Sequence, residues 1–511
     1  MGNQHGLQSI KSGSSTPNSV ASSNNGSRKS ISRTASGDDI EDSTENQFLM
    51  PVERLAKVLS KKSQAEENVS NAVTKSVFYH YLFPRYPLLA EKLYDYFVQN
   101  SKAKSSPLST NEFKQQCDKY LTLLDDQAIR DTFVCMWSTL DEEKNNLLIT
   151  TESFRSLLMC AYHISMDHYS DGPQMCFSIN KTLKAVVDGC FYQKTSLSHQ
   201  FVSHWLEHNT PRLLLPLHRF AVHAIATSWR TLEQNEPPTS AGSMLDEMLL
   251  PTGLELATPV LEQVAGPFGQ GKPLHPHLLT MSMSWLLAGA LPPMYSRPQK
   301  AHSPSSSGTG LSSKSFLSKI ACAIPSHWTL LYDSDEQGLG ANRFLHHVLN
   351  YKGPTLVIFR VENNQKFCVA APCEWKESHH YWGGEDAAIF QLLPKFQLLE
   401  KGSKILYLNT TVRGYPQGLR AGSDPRAPKI IVDAGFEKIE WQKIPFYIET
   451  IEVWGCGDNV QREKQLEVKK WEVKEAEKQR AVKLSAADWL DHPDRYLLEL
   501  AGRPQYHQNQ T

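Results

Sequence analysis

From about residue 48 to residue 230, apolar side chains return every three or four positions. Phe113, Cys117 and Tyr120–Leu121 are followed by Phe133, Met136–Trp137 and Leu140, then by Phe154 and Leu157–Leu158. That spacing places them on one side of a helix, so the region is predicted to be helical. Further on the period shortens. Trp328 to Ser334, Gly353 to Phe359, Cys368 to Trp375, Ala388 to Phe390, Tyr407 to Asn409, Ile430 to Asp433 and Ile451 to Gly455 are short aromatic or β-branched runs between turn residues. They predict strands packed in sheets. Trp328, Tyr332, Phe359, Trp375, Phe390, Tyr407 and Trp454 are the expected core aromatics. Asn459 to Lys483 has neither Gly nor Pro and is highly charged, which predicts a helix with only a loose apolar stripe at Leu466, Val468, Trp471, Val473 and Val482.

Composition sets limits on this outline. With 511 residues the chain has room for several cores. A formal net charge of −1 gives no pull toward nucleic acid, and no nucleic-acid partner is expected. The nine cysteines show no metal spacing and read as reduced thiols. Leu278 to Leu291 is the most apolar stretch; it stops at Pro292–Pro293, too short to span a bilayer, and is predicted to be a buried helix. Residues 1–46 are rich in Ser, Asn and Gly and are expected to stay disordered. They open Met1-Gly2-Asn3, and Gly2 is a candidate myristate acceptor, although Gly6 stands where Ser or Thr is usual. One acyl chain binds membranes marginally. Lys11, Arg28, Lys29 and Arg33 would add weak attraction to anionic lipid, which phosphates on Ser30, Ser32 or Ser36 would cancel.

Within the helical region, Asp141 to Glu152 forms a twelve-residue frame resembling an EF-hand loop. Asp141, Glu143, Asn145, the carbonyl of Leu147, and Glu152 fall on ligand positions suited to Ca²⁺. Asn146 replaces the turn glycine, so only weak Ca²⁺ binding is expected. A second frame, Ser101 to Glu112, keeps Leu108 and Glu112 but has Ser101, Ala103 and Ser105 at ligand positions. The two are expected to pair as one lobe, with Leu148 in the short β-contact. The other reading is a set of ordinary helix connections.

The β-rich blocks, taken in order with Gly338, Gly418-Leu-Arg-Ala-Gly422, Trp375 and Glu452 to Trp454, resemble the TLDc family over roughly 275–457. Two departures stand out. Val369-Ala370-Ala371 takes the place of a frequent Gly–Gly pair, and Asp433 to Phe446 is short and carries Trp441. The start, the helical lobe and the helical tail together resemble the branch of the mTOR-associated lysosomal TLDc protein and its worm relative in insulin-like signalling. The resemblance implies a β-sandwich with flanking helices, a non-enzymatic regulator of the V-ATPase, oxidation resistance, and residence on the cytoplasmic face of the lysosomal membrane.

The expected fold class is therefore α+β. A tail at 1–46 precedes an EF-hand-like helical region at 47–230, a linker at 231–274, a TLDc-like domain at 275–457 and a helical tail at 458–511. Leu466, Trp471 and Trp489 are the candidate partner contacts of that tail, with V-ATPase subunits, mTOR-signalling components and a membrane surface as expected partners. No cofactor is implied beyond weak Ca²⁺. Adjacent histidines at 346–347 and 379–380 point apart and have no matching ligand. Cys373 and Cys368 leave a thiol-based antioxidant open, and the loop at 141–152 leaves a calcium-responsive adaptor open. No nucleophile elbow, Walker loop or zinc-protease signature is present.

Overall fold

Side-chain caps fix where the helices of the N-terminal region begin. The computed structural model describes residues 51–141, 146–166, 177–233, 258–262, 277–296, 326–349, 351–457 and 459–481. Helix α1 (Pro51–Glu67) leads through strand β1 (Ala72–Val73) into α2 (Lys75–Leu82), and α3 (Pro87–Asn100) leads through β2 (Leu108–Ser109) into α4 (Thr110–Leu121). Thr74 and Ser109 each stand just before a helix and accept from the backbone N–H three residues on. Such caps satisfy donors that a helix start leaves free. β1 and β2 pair antiparallel, with Val73 opposite Leu108.

The next helices repeat the arrangement. They are α5 (Asp126–Met136), α6 (Thr151–Ser165), α7 (Ile179–Phe191), α8 (His199–Asn209), α9 (Leu215–Thr227) and the short α10 (Trp229–Glu233). Among them β3 (Thr139–Asp141) pairs with β4 (Asn146–Thr150), which pairs with β5 (Ser196–Ser198). This corrects the expected pairing of the two loop frames. The loop at 101–109 pairs with 72–73, and the loop at 141–150 pairs with 196–198. The apolar contact is also shifted by one residue: Ile149, fully buried, faces Leu197, while Leu148 is half-buried and faces Ser198. Thr150 caps α6 and so sets that register; in a strand a one-residue shift moves each side chain to the other face.

The C-terminal strands form one 11-stranded sheet. β6 (Val260–Glu262) runs parallel to β7 (His327–Asp333). The sheet continues through β8 (Thr355–Val361), β9 (Gln365–Ala371), β10 (Ala388–Leu393), β11 (Gln397–Lys401), β12 (Leu406–Asn409), β13 (Gly418–Ala421), β14 (Ile430–Val432), β15 (Lys438–Trp441) and β16 (Ile444–Gly455). β16 is the hinge of this layout. Its first residues pair with β15, and its last residues lie between β8 and β7. The result is a curled sheet that folds over itself, where the family resemblance implies a β-sandwich. Around it stand α11 (Met281–Ala290), α12 (Ser334–Gln337), α13 (Ala341–Val348) and α14 (Asn459–Ala481).

Both faces of the central strands are buried. Val357, Phe359, Val369, Ile389, Ile451 and Val453 point into the curl, against Leu408, Leu419, Val432 and Ile439. Leu356, Ile358, Cys368, Phe390, Trp328 and Trp454 point the other way and share a core with the helices, Phe154, Phe191 and Trp285 among them. Alternate residues of a strand face opposite sides, so burial on both sides explains the unbroken apolar runs. Hydrogen bonds tie the two parts together: Phe396 N–H donates to the Ala185 carbonyl at 2.9 Å, and Leu398 N–H to the side-chain Oδ1 of Asn209 at 2.9 Å. α11 is buried along nearly its whole length between helices and sheet.

Candidate functional site

The densest polar cluster in this core is built on Glu452, in the middle of β16. Antiparallel register puts Glu452 opposite Asp333 at the end of β7, so both side chains leave the same face. Glu452 is 1% exposed and collects four donors. Leu278 N–H (2.5 Å) and His277 Nδ1 (3.2 Å) reach Oε1, while Leu279 N–H (3.0 Å) and Trp454 Nε1 (2.9 Å) reach Oε2. The backbone donors come from the turn that leads into α11, whose cap is Thr280. Lys366 of β9 donates to the carbonyl of Leu278 at 2.8 Å. The His277 ring meets Trp454 edge-on at 5.5 Å, and its Nδ1 lies 3.9 Å from Asp333 Oδ2.

The charges follow from these contacts. Burial alone would raise the Glu452 carboxyl, but donation from His277, Trp454, Leu278 and Leu279 outweighs it and holds the acid below the usual range. Burial lowers His277, yet the hydrogen bond and charge of Glu452 leave it raised overall. Asp333 is raised, by burial first and then by neighbouring carboxylates including Glu452. Burial pulls the Lys366 ammonium down to about 8. A carboxylate held this way is an anchor: it fastens the segment before α11 to the sheet.

The remaining motif residues have local work. Trp328 Nε1 donates to the Tyr295 carbonyl at 2.7 Å, and Trp375 Nε1 to Thr355 Oγ1 at 2.7 Å. Gly418 has φ +100°, and a Cβ there would run into the carbonyl of Val432 on the neighbouring strand. Gly338, at φ +83°, ends α12. Gly422 leaves room for the Pro428–Lys429 backbone, and Gly353 for the Tyr351 ring and the Gln461 side chain. Of the motif residues only Glu452 and Trp454 share the cluster. His277, Asp333 and Lys366 were missed, because their link to Glu452 is one of register and long-range contact.

The tail helix α14 starts right after β16. Gly457 N–H donates to the Tyr351 hydroxyl at 2.7 Å, Gln465 is buried, and His346 Nε2 lies 3.8 Å from Glu472. An adjoining face of the helix carries Val460, Val468 and Trp471, and Trp471 is 63% exposed. Those three positions fall within one side of a 3.6-residue helix. Leu466 lies in α14, but its side chain is outside the described residues, as are Trp489 and Gly2 entirely.

The loop at 141–152 is described in part. Asp141 ends β3, the Leu147 carbonyl lies 3.4 Å from His199 Nδ1, and Glu152 is exposed in the first turn of α6. Glu143 and Asn145 are outside the described residues. In the other frame Glu112 is engaged locally, accepting from Ala103 N–H at 3.1 Å and Ser109 Oγ at 2.9 Å. Of the candidate thiols, Cys368 is fully buried, and burial pushes it far up; Cys373 is exposed but also raised, chiefly by burial of the thiol. The His379 ring lies 4.0 Å from that of His380 and 5.0 Å from Tyr415, so this pair is brought together and does not point apart as the sequence suggests.

The curled sheet that carries Glu452 and Trp454 on its long strand lies largely within the region matched by a family comparison. Residues 305–457 match the TLDc domain, which supports placing the chain in the TLDc family. That family is generally non-catalytic. Among curated proteins, the chain is similar to "Restriction of telomere capping protein 5" of Neurospora crassa, at 25% identity over 292 residues, covering 41% of this chain and 48% of the relative. The protein of that name in Vanderwaltozyma polyspora is 26% identical over 273 residues, covering 45% and 47%. The one in Kluyveromyces lactis is 36% identical over 91 residues, covering 18% and 15%. The chain thus spans about half the length, or less, of these relatives.

Proposed function

We propose that this chain is a non-enzymatic regulatory adaptor of the TLDc type, which binds and regulates the V-ATPase at the lysosomal surface and feeds mTOR signalling. The observation that carries the adaptor reading is α14. A helix rooted in the sheet presents Val460, Val468 and Trp471 to solvent, and a few aromatic and aliphatic anchors usually dominate an interface. The choice of pump and pathway rests on the resemblance to the lysosomal branch, and membrane attachment on acylation of Gly2. The thiol alternative loses support, since both candidate cysteines are held as neutral thiols and reactive cysteines need a lowered pKa. The calcium alternative loses support from the one-residue shift at Ile149.

Affinity purification of the full chain from cell membranes tests the proposal. V-ATPase subunits should co-purify with the wild type and fall away with Trp471→Ala or with deletion of residues 459–511. Gly2→Ala should move the protein to the soluble fraction. The names of the fungal relatives supply the competing outcome: recovery with telomeric chromatin, and no pump subunits, would replace this reading.

A further inference from the structure

We infer that His277, Asp333 and Glu452 form a binding site for one divalent transition-metal cation of the zinc class. Among the described residues these are the three His, Cys, Asp or Glu side chains whose ligand atoms all lie within 4.8 Å of one another. One imidazole nitrogen and two carboxylates suit zinc and its neighbours. Tetrahedral bonds of about 2.0–2.1 Å place ligand atoms roughly 3.3–3.4 Å apart. His277 Nδ1 lies 3.2 Å from Glu452 Oε1 and 3.9 Å from Asp333 Oδ2, and the two carboxylates come within 4.8 Å of each other, so Asp333 turns inward to close the set.

The charge pattern argues the same way. A single N–H on Nδ1 serves one carboxylate, and at 3.9 Å Asp333 Oδ2 is beyond its hydrogen-bond reach. A dication in place of that proton serves both. With the imidazole neutral, two carboxylates face the one ammonium of Lys366, which leaves a net negative site, and Lys366 is directed to the Leu278 carbonyl. The ligands are already aimed. Glu452 is held by Leu278 N–H, Leu279 N–H and Trp454 Nε1, and Asp333 by Asp335 N–H on Oδ1, which leaves Oδ2 for the ion. Such supporting bonds typically fix metal ligands. His277 Nε2 is buried without a hydrogen-bond partner. It bears a proton in the imidazolium and in the Nδ1-metallated ring alike, so the exchange creates no new orphan. The side chains of His277 and Asp333 keep 15% and 10% exposure, so an ion reaches the cluster from the surface. Starting from the imidazolium, binding displaces the Nδ1 proton, and one proton is released to solvent per ion bound.

The test uses the full chain, stripped of metal with a chelator and titrated with Co²⁺ and then Zn²⁺. The chain has nine cysteines, so the readout must separate them from this site. One equivalent of cobalt should survive desalting, with visible d–d absorption and no thiolate charge-transfer band, and Zn²⁺ should displace it. Asp333→Asn and His277→Gln should each weaken retention by at least about tenfold, with far-ultraviolet circular dichroism showing that both remain folded. Because Asp333 also caps α12, the wild-type spectrum stands as evidence apart from either variant. No retained cobalt, a thiolate band alone, or equal retention by folded variants would overturn the site.

Discussion

Trp454 shows how one side chain serves packing and polarity together. Its ring is fully buried in the core shared with the helices, and its Nε1 is one of the four donors to Glu452. Trp454→Ala is expected to cost about 3–5 kcal/mol, the usual range for an aromatic removed from a core. Trp454→Phe keeps most of the packing but takes one donor from a buried carboxylate, and should cost about 1–3 kcal/mol. Denaturant melts of both variants check the order; a Trp454→Phe as stable as the wild type would mean that the hydrogen bond contributes nothing. His218 is a second test. Burial holds its imidazole down at about 4, while its Nε2 lies 3.3 Å from the Tyr120 carbonyl. An unfolded histidine takes its proton near 6.5. Between about pH 6.5 and 4 the unfolded chain therefore binds the extra proton, and stability falls as pH falls, by roughly 2–3 kcal/mol over that window. His218→Gln should lose that share of the acid slope when melts are compared across the same range.

At the level of elements, the strands and helices were largely legible, because periodicity is a local property. The buried helix α11 and the tail helix α14 fall where the apolar run and the charged run predict them. The wrapping of the sheet was not legible: nothing in β16 says that its two ends serve different neighbours. Register failed in a more instructive way. The acidic start at Asp141 drew the loop frame, yet Thr150 is the better landmark, since Thr74, Ser109 and Ser198 cap helices at the same step after a short strand. With the frame displaced, Glu152 occupies the first turn of α6 and Asp141 belongs to a strand. Calorimetry on the full chain should find no sub-micromolar Ca²⁺ site. A tight site lost in Glu152→Gln would show that the loop rearranges around the ion.

For the whole molecule, the governing fact is that one face of the sheet and the helical region fill a single core. Sequence reading separates them, because the residues that join them are apolar on both sides and carry no label of their partner. Gly189 illustrates the closeness: a Cβ there would collide with the Phe396 carbonyl. Helices and sheet should therefore unfold together. Far-ultraviolet circular dichroism and tryptophan fluorescence are expected to report one coincident transition. A fragment of residues 277–457 should bind a hydrophobic dye and lose cooperative melting, since Leu356, Ile358 and Phe390 would be uncovered. Two well-separated transitions in the full chain would refute the shared core.

The root of α14 has a mechanical consequence. Gly353, Gly455 and Gly457 crowd around Tyr351 and Gln461 so tightly that a methyl group on any of them would collide, and the Tyr351 hydroxyl holds Gly457 N–H. The helix is thus clamped at its foot to the same strand that carries Glu452. Trp471 sits about 18 Å along the axis from Asn459, at 1.5 Å per residue. A load applied there acts on a lever whose fulcrum is the last turn of β16, and any torque arrives at the seam between sheet and helices.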